Sequence, residues 1–222
     1  MSLDMLMTLL SKALWQTVHM VVVAGLVGSL IGLPIGVFLA TSGRGELFPA
    51  PVVNRIVGAI VNAARSTPFI ILVVAIIPFT RFVTGTSIGT SAAIVPLTVA
   101  TIPFVARLVE AAIREVDKGL IEAARAMGAT PMQIVFKVLL AEARPGITLA
   151  LTLTIVSLVG YSAMVGAVGG GGLGDLGIRY GYQRFMPDVM LVVVVVLIVL
   201  VQAVQSAGDA LARRFDKRSR QN

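Results

Sequence analysis

The chain alternates between long apolar runs and short polar segments. Four stretches contain no Asp, Glu, Lys or Arg, at residues 13–43, 82–106, 145–174 and 189–208, and a shorter one at 66–80 extends back past Arg65 to Ile56. A helix needs about 20 mostly apolar residues to cross a hydrocarbon core about 30 Å thick. The pattern therefore predicts an all-α integral membrane protein with five transmembrane helices, near residues 18–40, 56–79, 87–108, 146–166 and 189–210.

Glycine recurs along one side of the first predicted span, with Gly28, Gly32 and Gly36 spaced four residues apart. Such GxxxG pairs allow another helix backbone to approach closely. We expect them to pack against a helix of the same chain, and an interface with another subunit is the alternative.

The second predicted span contains a charge, Arg65, next to Ser66 and Pro68. An arginine at the bilayer centre costs about 2.5–3.5 kcal/mol on insertion scales. We expect its long side chain to extend to the cytosolic membrane surface. The alternative is that Arg65 lines a pathway through the membrane.

The segment between the third and fourth predicted spans, residues 110–144, must lie in water. Transfer of its charges into lipid would cost about 25 kcal/mol, at about 2.5 kcal/mol or more for each. The charged residues are Glu110, Arg114, Glu115, Asp117, Lys118, Glu122, Arg125, Lys137, Glu142 and Arg144.

Within that segment, residues 117–142 have the pattern of two short helices joined by a tight turn. Gly128 suits the left-handed residue that ends a helix, and T-x-x-Q at Thr130 to Gln133, with Pro131 at the first helical position, is a capping box. A rigid hairpin of this kind is suited to contact another protein, and a connector without a partner is the alternative. One helical face of the first helix is formed by Leu120, Ala123, Ala124 and Met127.

Composition excludes several other classes of protein. Of 222 residues, 57% are hydrophobic and 13% charged, with a mean hydropathy of +0.94, whereas a soluble domain has about 25% charged residues. The absence of cysteine and the single histidine, His19, exclude disulfides and predict that the chain binds no metal. The first apolar run is too long for a cleaved signal peptide, so we expect it to be retained.

The net charge of +7 reflects topology and gives no support for nucleic-acid binding. With alternating spans, fourteen of the eighteen Lys and Arg residues fall on one side of the membrane. The positive-inside rule places that side in the cytosol, with the N-terminus outside and the C-terminus inside. These residues are Arg44, Arg55, Arg65, Arg107, Arg114, Lys118, Arg125, Lys137, Arg144, Arg213, Arg214, Lys217, Arg218 and Arg220.

The glycine run at residues 169–174 matches G-x-G-x-x-G but is not a nucleotide-binding motif, because it follows a membrane span instead of a strand. It predicts a flexible break in the fourth span, where exposed backbone is tolerated beside an aqueous cavity. The alternative for the polar residues that follow, Asp175 to Arg184, is a surface loop. The candidate pathway or gate residues before it are Ser157, Tyr161, Ser162 and Met164.

Two sets of motifs resemble known transporter families. Glu122-Ala123-Ala124, followed by Gly128, resembles the EAA motif of the permease subunits of ABC importers, although Leu140-Ala141 replaces the usual Leu-Pro. Nearly the whole chain is similar to the permeases of methionine importers. The segments that carry this second similarity are 65–72, 77–81, 161–164, 169–174, 180–182 and 207–209.

The resemblance implies a homodimer of five-span subunits in a bacterial inner membrane. Its further partners would be two ABC ATPase subunits, which bind ATP and Mg, and an extracytoplasmic methionine-binding lipoprotein. The chain itself would bind no cofactor, catalyse no reaction, and carry methionine, L- and D-, by alternating access. The hairpin would be the coupling helix that the ATPase holds, through Leu120, Glu122, Ala123, Ala124, Met127, Gly128, Thr130 and Pro131.

Three alternatives remain from the sequence. The importer could carry another small amino acid or a dipeptide. An ion-coupled secondary transporter would need ionisable groups inside its spans near the bilayer midplane, and apart from Arg65 the sequence places none there. A purely structural membrane protein would have no use for a capped hairpin.

Overall fold

A computed structural model describes residues 3–215, and this part of the chain is built from helices without strands. Two π-helical turns interrupt the α-helices. The elements are α1 (Leu3–Thr41), α2 (Pro51–Ser66), α3 (Phe69–Ala75), α4 (Ile77–Thr84), α5 (Thr90–Arg114), α6 (Lys118–Ala126), α7 (Pro131–Gln133), π1 (Ile134–Leu139), α8 (Leu140–Glu142), α9 (Arg144–Ala167), α10 (Gly172–Leu176), π2 (Gly177–Tyr182) and α11 (Pro187–Phe215).

Four helices, α1, α5, α9 and α11, are long and apolar enough to cross a membrane. They contain most of the residues assigned to the first, third, fourth and fifth predicted spans. Large apolar side chains remain exposed along them, among them Leu191, Ile198 and Val199 of α11, at 56–65%. A surface of this kind suits contact with lipid.

The predicted second span, residues 56–79, is not one straight helix. Helices α2 and α3 pass the same test only as a pair, and they meet at an angle of 101°. The break has a local cause: Pro68 has no backbone N–H to donate, and it disfavours helical geometry at Thr67. Thr67 accordingly has an extended backbone, with φ −78° and ψ 123°.

Helices α1 and α5 run parallel and in close contact. A Cβ atom added to Gly32 would lie 2.7 Å from the carbonyl oxygen of Ile102, and one added to Gly36 would lie 2.6 Å from that of Ala106. The expectation that these glycines pack against a helix of the same chain is thus confirmed.

Helix α9 runs antiparallel to both α5 and α11. Its first turn places Gly146 against Ala112 near the end of α5, and its third turn places Thr152 against Gly208 near the end of α11. The main core lies where α1, α5 and α9 meet, around Met20, Leu97 and Leu158. The alternating directions of the long helices agree with the alternating spans predicted from the sequence.

Candidate functional site

Residues 117–142, called the hairpin below, have the predicted turn. Gly128 lies in the left-handed region with φ +80°. Its N–H donates to the carbonyl of Arg125 (2.9 Å), and that of Ala129 donates to the carbonyl of Ala124 (3.0 Å). These two bonds form a Schellman motif, which satisfies the last carbonyls of α6.

Both helices of the hairpin begin at a capping side chain. A carboxylate oxygen of Asp117 accepts from the N–H of Gly119 at 2.7 Å. At the second helix, the Thr130 hydroxyl accepts from the N–H of Gln133 (3.4 Å), while the Gln133 side chain accepts from the N–H of Thr130 (2.9 Å). The predicted capping box, formed by Thr130 and Gln133, is therefore confirmed, and Pro131 occupies the first position of the helix.

One side of the hairpin is fixed to the long helices. Ala124, Ile134 and Leu139 are buried in one apolar cluster with Val109 and Ile113 of α5. Because these contacts are buried, we expect a displacement of the hairpin to be transmitted to the end of α5.

The other side of the hairpin is exposed, and it differs from the predicted face. Ala124 faces inward and is 4% exposed, so it offers nothing to a partner, whereas Leu120, Ala123 and Met127 are exposed, Met127 at 82%. The four predicted residues point in a range of directions around α6. Only Ala124 is covered by the packing against α5, and the other three remain exposed.

Two further apolar side chains of the hairpin are exposed and were not identified from the sequence. Met132 and Phe136 are 57% and 61% exposed. Large apolar residues in a segment that must lie in water are themselves a signal of an interface. Among the other predicted residues, Glu122, Gly128, Thr130 and Pro131 are also exposed.

Glu110 is an exception to the expectation that the charges of residues 110–144 lie in water. Its side chain is 5% exposed and pairs with Arg107 at 2.5 Å and Arg114 at 2.8 Å. Arg107 also donates to the carbonyl of Gly58 at 2.8 Å, which ties α5 to α2. The i, i+3 and i+4 spacing of these residues was the available signal.

The glycine run is a tightly packed turn instead of a loose break. Gly169, Gly171 and Gly172 all have φ between +80° and +86°. The run is bound to α1, because Gln16 accepts from the N–H of Gly172 (3.0 Å) and Thr17 accepts from that of Leu173 (2.9 Å). The glycines therefore provide backbone geometry and close approach, and the prediction of flexibility has no support in this packing.

The four predicted pathway residues do not share one face of α9. Ser162 is 2% exposed, and its hydroxyl donates to the carbonyl of Val159 at 2.7 Å. Met164 is 48% exposed, and Ser157 and Tyr161 are half-buried. Ser157, Tyr161 and Met164 are separated by four and three residues, which places them together and leaves Ser162 facing the core.

The bend between α2 and α3 lies beside Tyr161. Phe69 stacks on the Tyr161 ring with 4.5 Å between centroids. A cavity of about 140 Å³ next to this pair is lined by Arg65, Thr67 and Ala100, among others. Arg65 was expected at the membrane surface. Its neighbours at this cavity include Ala100, in the middle of α5, and Tyr161, well along α9, so Arg65 lies away from the helix ends.

The residues after the glycine run form their own polar group. Arg179 pairs with Asp175, and the pair raises the pKa of Arg179 above its ordinary value. The Arg184 guanidinium lies 4.5 Å from the centre of the Tyr180 ring. Asp175, Arg179 and Tyr180 line a cavity of about 580 Å³ together with Lys12 and Gln16 of α1.

Comparison with known proteins identifies a family and close relatives. Residues 32–221 match the model of the family described as binding-protein-dependent transport system inner membrane component. The probable D-methionine transport system permease protein MetI of Vibrio cholerae is 56% identical over 210 residues, which cover 95% of this chain and 93% of that protein. The D-methionine transport system permease protein MetI of Escherichia coli K12 is 57% identical over 161 residues, 72% of this chain and 74% of that one.

Solved structures agree with this similarity. An inward-facing conformation of the MetNI methionine ABC transporter matches with a TM-score of 0.94 and 54% identity, over 98% of this chain and 100% of the other. An amino acid ABC transporter crystallised with histidines matches with a TM-score of 0.78 at 21% identity over 94% of each chain, which shows a shared fold alone.

Proposed function

The chain belongs to the family of binding-protein-dependent transport system inner membrane components, and we propose on that premise that it is the membrane-spanning permease subunit of an ATP-driven importer of methionine. The similarity to MetI permeases along nearly the whole chain carries this proposal. The substrate is L- and D-methionine, and the location is the bacterial inner membrane.

The proposed orientation has the N-terminus outside and the hairpin and C-terminus in the cytosol. It is supported by the basic residues at the hairpin end of the long helices, such as Arg114 of α5, Arg144 of α9, and Arg213 and Arg214 of α11. Three further basic residues counted for this side, Lys217, Arg218 and Arg220, lie outside the described residues.

The proposed partners are a second copy of the chain, two ABC ATPase subunits and an extracytoplasmic methionine-binding lipoprotein. ATP and Mg bind to the ATPase subunits, and hydrolysis takes place there, so this chain is not itself an enzyme. The exposed apolar side of the hairpin is the proposed ATPase contact, with Leu120, Met127, Met132 and Phe136 as its large side chains. Ala124 is excluded from that contact because it is buried.

The proposed mechanism is alternating access. Closure of the ATPase subunits on ATP moves the two hairpins, and the buried cluster that joins each hairpin to α5 transmits the movement to the spans. ATP thereby shifts the population from inward-open to outward-open states.

The function is tested by methionine uptake into proteoliposomes that contain the chain, its ATPase and the binding protein. We expect uptake of radiolabelled methionine that requires ATP, and none with an ATPase variant that binds ATP without hydrolysing it. Uptake driven by a sodium or proton gradient without ATP would contradict the proposal. If another amino acid or a dipeptide competes more strongly than unlabelled methionine, that compound is the preferred substrate. The assignment as an ATP-driven importer would then still stand.

A further inference from the structure

The break between α2 and α3 lies deep in the membrane. Arg107 of α5 donates to the carbonyl of Gly58 in α2, so these two residues lie at a similar depth. Arg65 lies two helical turns after Gly58, or about 10 Å further along α2. Ala100 of α5, which lines the same cavity as Arg65, is about 15 Å from Thr90 and about 21 Å from Arg114 along the helix axis. Arg65 therefore lies near the middle of the span.

Irregular backbone at this depth has to be enclosed by protein or to line an aqueous cavity. Thr67 and Pro68 both have extended backbones, with ψ 123° and 133°. The cavity of about 140 Å³ opens beside them. The bend therefore places a cationic side chain and a cavity at the same depth.

Arg65 has no ionic partner within the described part of the chain. The ion pairs there involve Arg107, Arg114 and Arg179. The side chain of Arg65 is exposed in the single subunit. A cation at mid-depth without a counter-ion is costly, and an anion that arrives through a water-filled pathway would offset that cost.

We propose that Arg65 binds the α-carboxylate of the methionine that passes through the subunit, beside the wall formed by Phe69 and Tyr161. The inference rests on the proposed function and names a binding position within it. A guanidinium can hold a carboxylate through two parallel hydrogen bonds. A lipid phosphate is excluded as the ligand, because headgroups lie about 15 Å from the bilayer centre.

The size of the cavity is consistent with a transient contact. It holds about 140 Å³, less than the roughly 300 Å³ at which enclosed ligand pockets begin. It can admit the carboxylate and the adjoining carbons while the thioether chain remains in the wider pathway. Such partial enclosure suits a transporter, whose site must release its cargo.

The test uses the absence of cysteine from the chain. Thr67 and Leu72 both line the cavity of about 140 Å³. Thr67→Cys, and in a separate variant Leu72→Cys, each place one thiol in its wall, and both variants are studied in the assembled permease–ATPase complex. The rate at which a small charged methanethiosulfonate modifies this thiol is measured with L-methionine or with L-methioninol, which keeps the ammonium and thioether but lacks the carboxylate. Arg65→Gln is then added, with Arg55→Gln on the same helix as the matched control.

We expect L-methionine to slow modification several-fold and L-methioninol to leave the rate unchanged. Arg65→Gln should raise the methionine concentration for half-protection at least ten-fold, and Arg55→Gln should not. Equal protection by the two compounds, protection that survives Arg65→Gln, protection by chloride alone, or thiols that the reagent never reaches would each overturn the assignment. Protection that survives Arg65→Gln would place the effective methionine site elsewhere in the complex. ATP-dependent uptake by the unmodified complex is measured in parallel, so failure of the binding position is distinguished from failure of the importer function.

Discussion

Glu110 and Arg65 show two ways in which a charged residue is accommodated within an apolar helix. Glu110 is buried but compensated by Arg107 and Arg114, one of which also bonds to the backbone of α2. Arg65 has no acidic partner among residues 3–215 and borders a cavity. The first arrangement stabilises the junction of α2 and α5, and the second leaves a cation free for a ligand.

The turn at Gly128 leads to a prediction for coupling. Gly128→Val places a β-branched residue at φ +80°, where an L-residue costs about 1–2 kcal/mol. We expect the hairpin to shift and the affinity for the ATPase to fall about ten-fold. Co-purification of the ATPase and ATP-dependent methionine uptake measure the effect.

Gly128→Asn is the matched control for this variant. Asn adopts the left-handed region more readily than other non-glycine residues, and a Cβ at position 128 meets no atom within 4 Å. It should therefore retain most of the parent's activity. If the Val variant assembles and transports like the parent, the hairpin is not the coupling element.

Ser162, a candidate pathway residue from the sequence, leads to a second prediction, which concerns stability because the side chain is buried. The side chain is 2% exposed among core residues, so Ser162→Phe would overpack the core at a cost of about 1–3 kcal/mol. We expect a lower melting temperature of the detergent-solubilised complex. Ser162→Ala, which loses one local hydrogen bond, should change it little.

A Ser162→Phe variant that melts like the parent but transports slowly would point the other way. It would return Ser162 to the pathway residues, with Ser157, Tyr161 and Met164.

At the scale of elements, the pairing of α1 with α5 depends on the absence of side chains at the contact. The positions of Gly32 and Gly36 allow each to face a backbone carbonyl of α5. Dispersion contacts, instead of the hydrophobic effect, drive helix association in lipid, and they require such close approach.

This contact predicts a large difference between two identical substitutions on one helix. Gly32→Ala would place its methyl group 2.7 Å from the Ile102 carbonyl oxygen, whereas Gly25→Ala would meet Leu158 at an ordinary 3.5 Å. We expect the first to destabilise the subunit by about 1–3 kcal/mol and the second to be near neutral. The thermal stability of both variants in detergent is monitored by size-exclusion chromatography after heating. Equal melting curves for the two variants would contradict the close α1–α5 contact.

At the scale of the whole molecule, the directions of the long helices and the positions of the basic residues are consistent. Helices α1, α5 and α11 run one way and α9 runs the other, so the hairpin and the end of α11 lie on the same side. The absolute orientation then depends on the positive-inside rule.

Thiol labelling in cells tests that orientation. Ile88→Cys and Phe215→Cys introduce thiols at positions that are 65% and 41% exposed in a chain that has no other cysteine. A membrane-impermeant maleimide should label position 88 in intact spheroplasts and position 215, which lies on the same side as the hairpin, only after permeabilisation. The reverse pattern would invert the topology and place the hairpin out of reach of a cytosolic ATPase.

Local chemistry was predictable from the sequence alone. The long apolar runs, the caps at Thr130 and Gly128 and the need to keep a charged segment in water follow from interactions within a few residues or with the solvent. The family resemblance was also recognisable from short motifs, and the family comparison confirms it.

The tertiary structure decided which side of each local element is covered. Ala124 and Ser162 are buried, Glu110 is compensated and Arg65 stands beside a mid-span cavity, although their sequence neighbourhoods suggested otherwise. The reason is that burial depends on helices far apart in the chain, such as α2 against α5 and α3 against α9. A periodic pattern defines the faces of a helix, but only packing determines which face meets a neighbour, lipid or water.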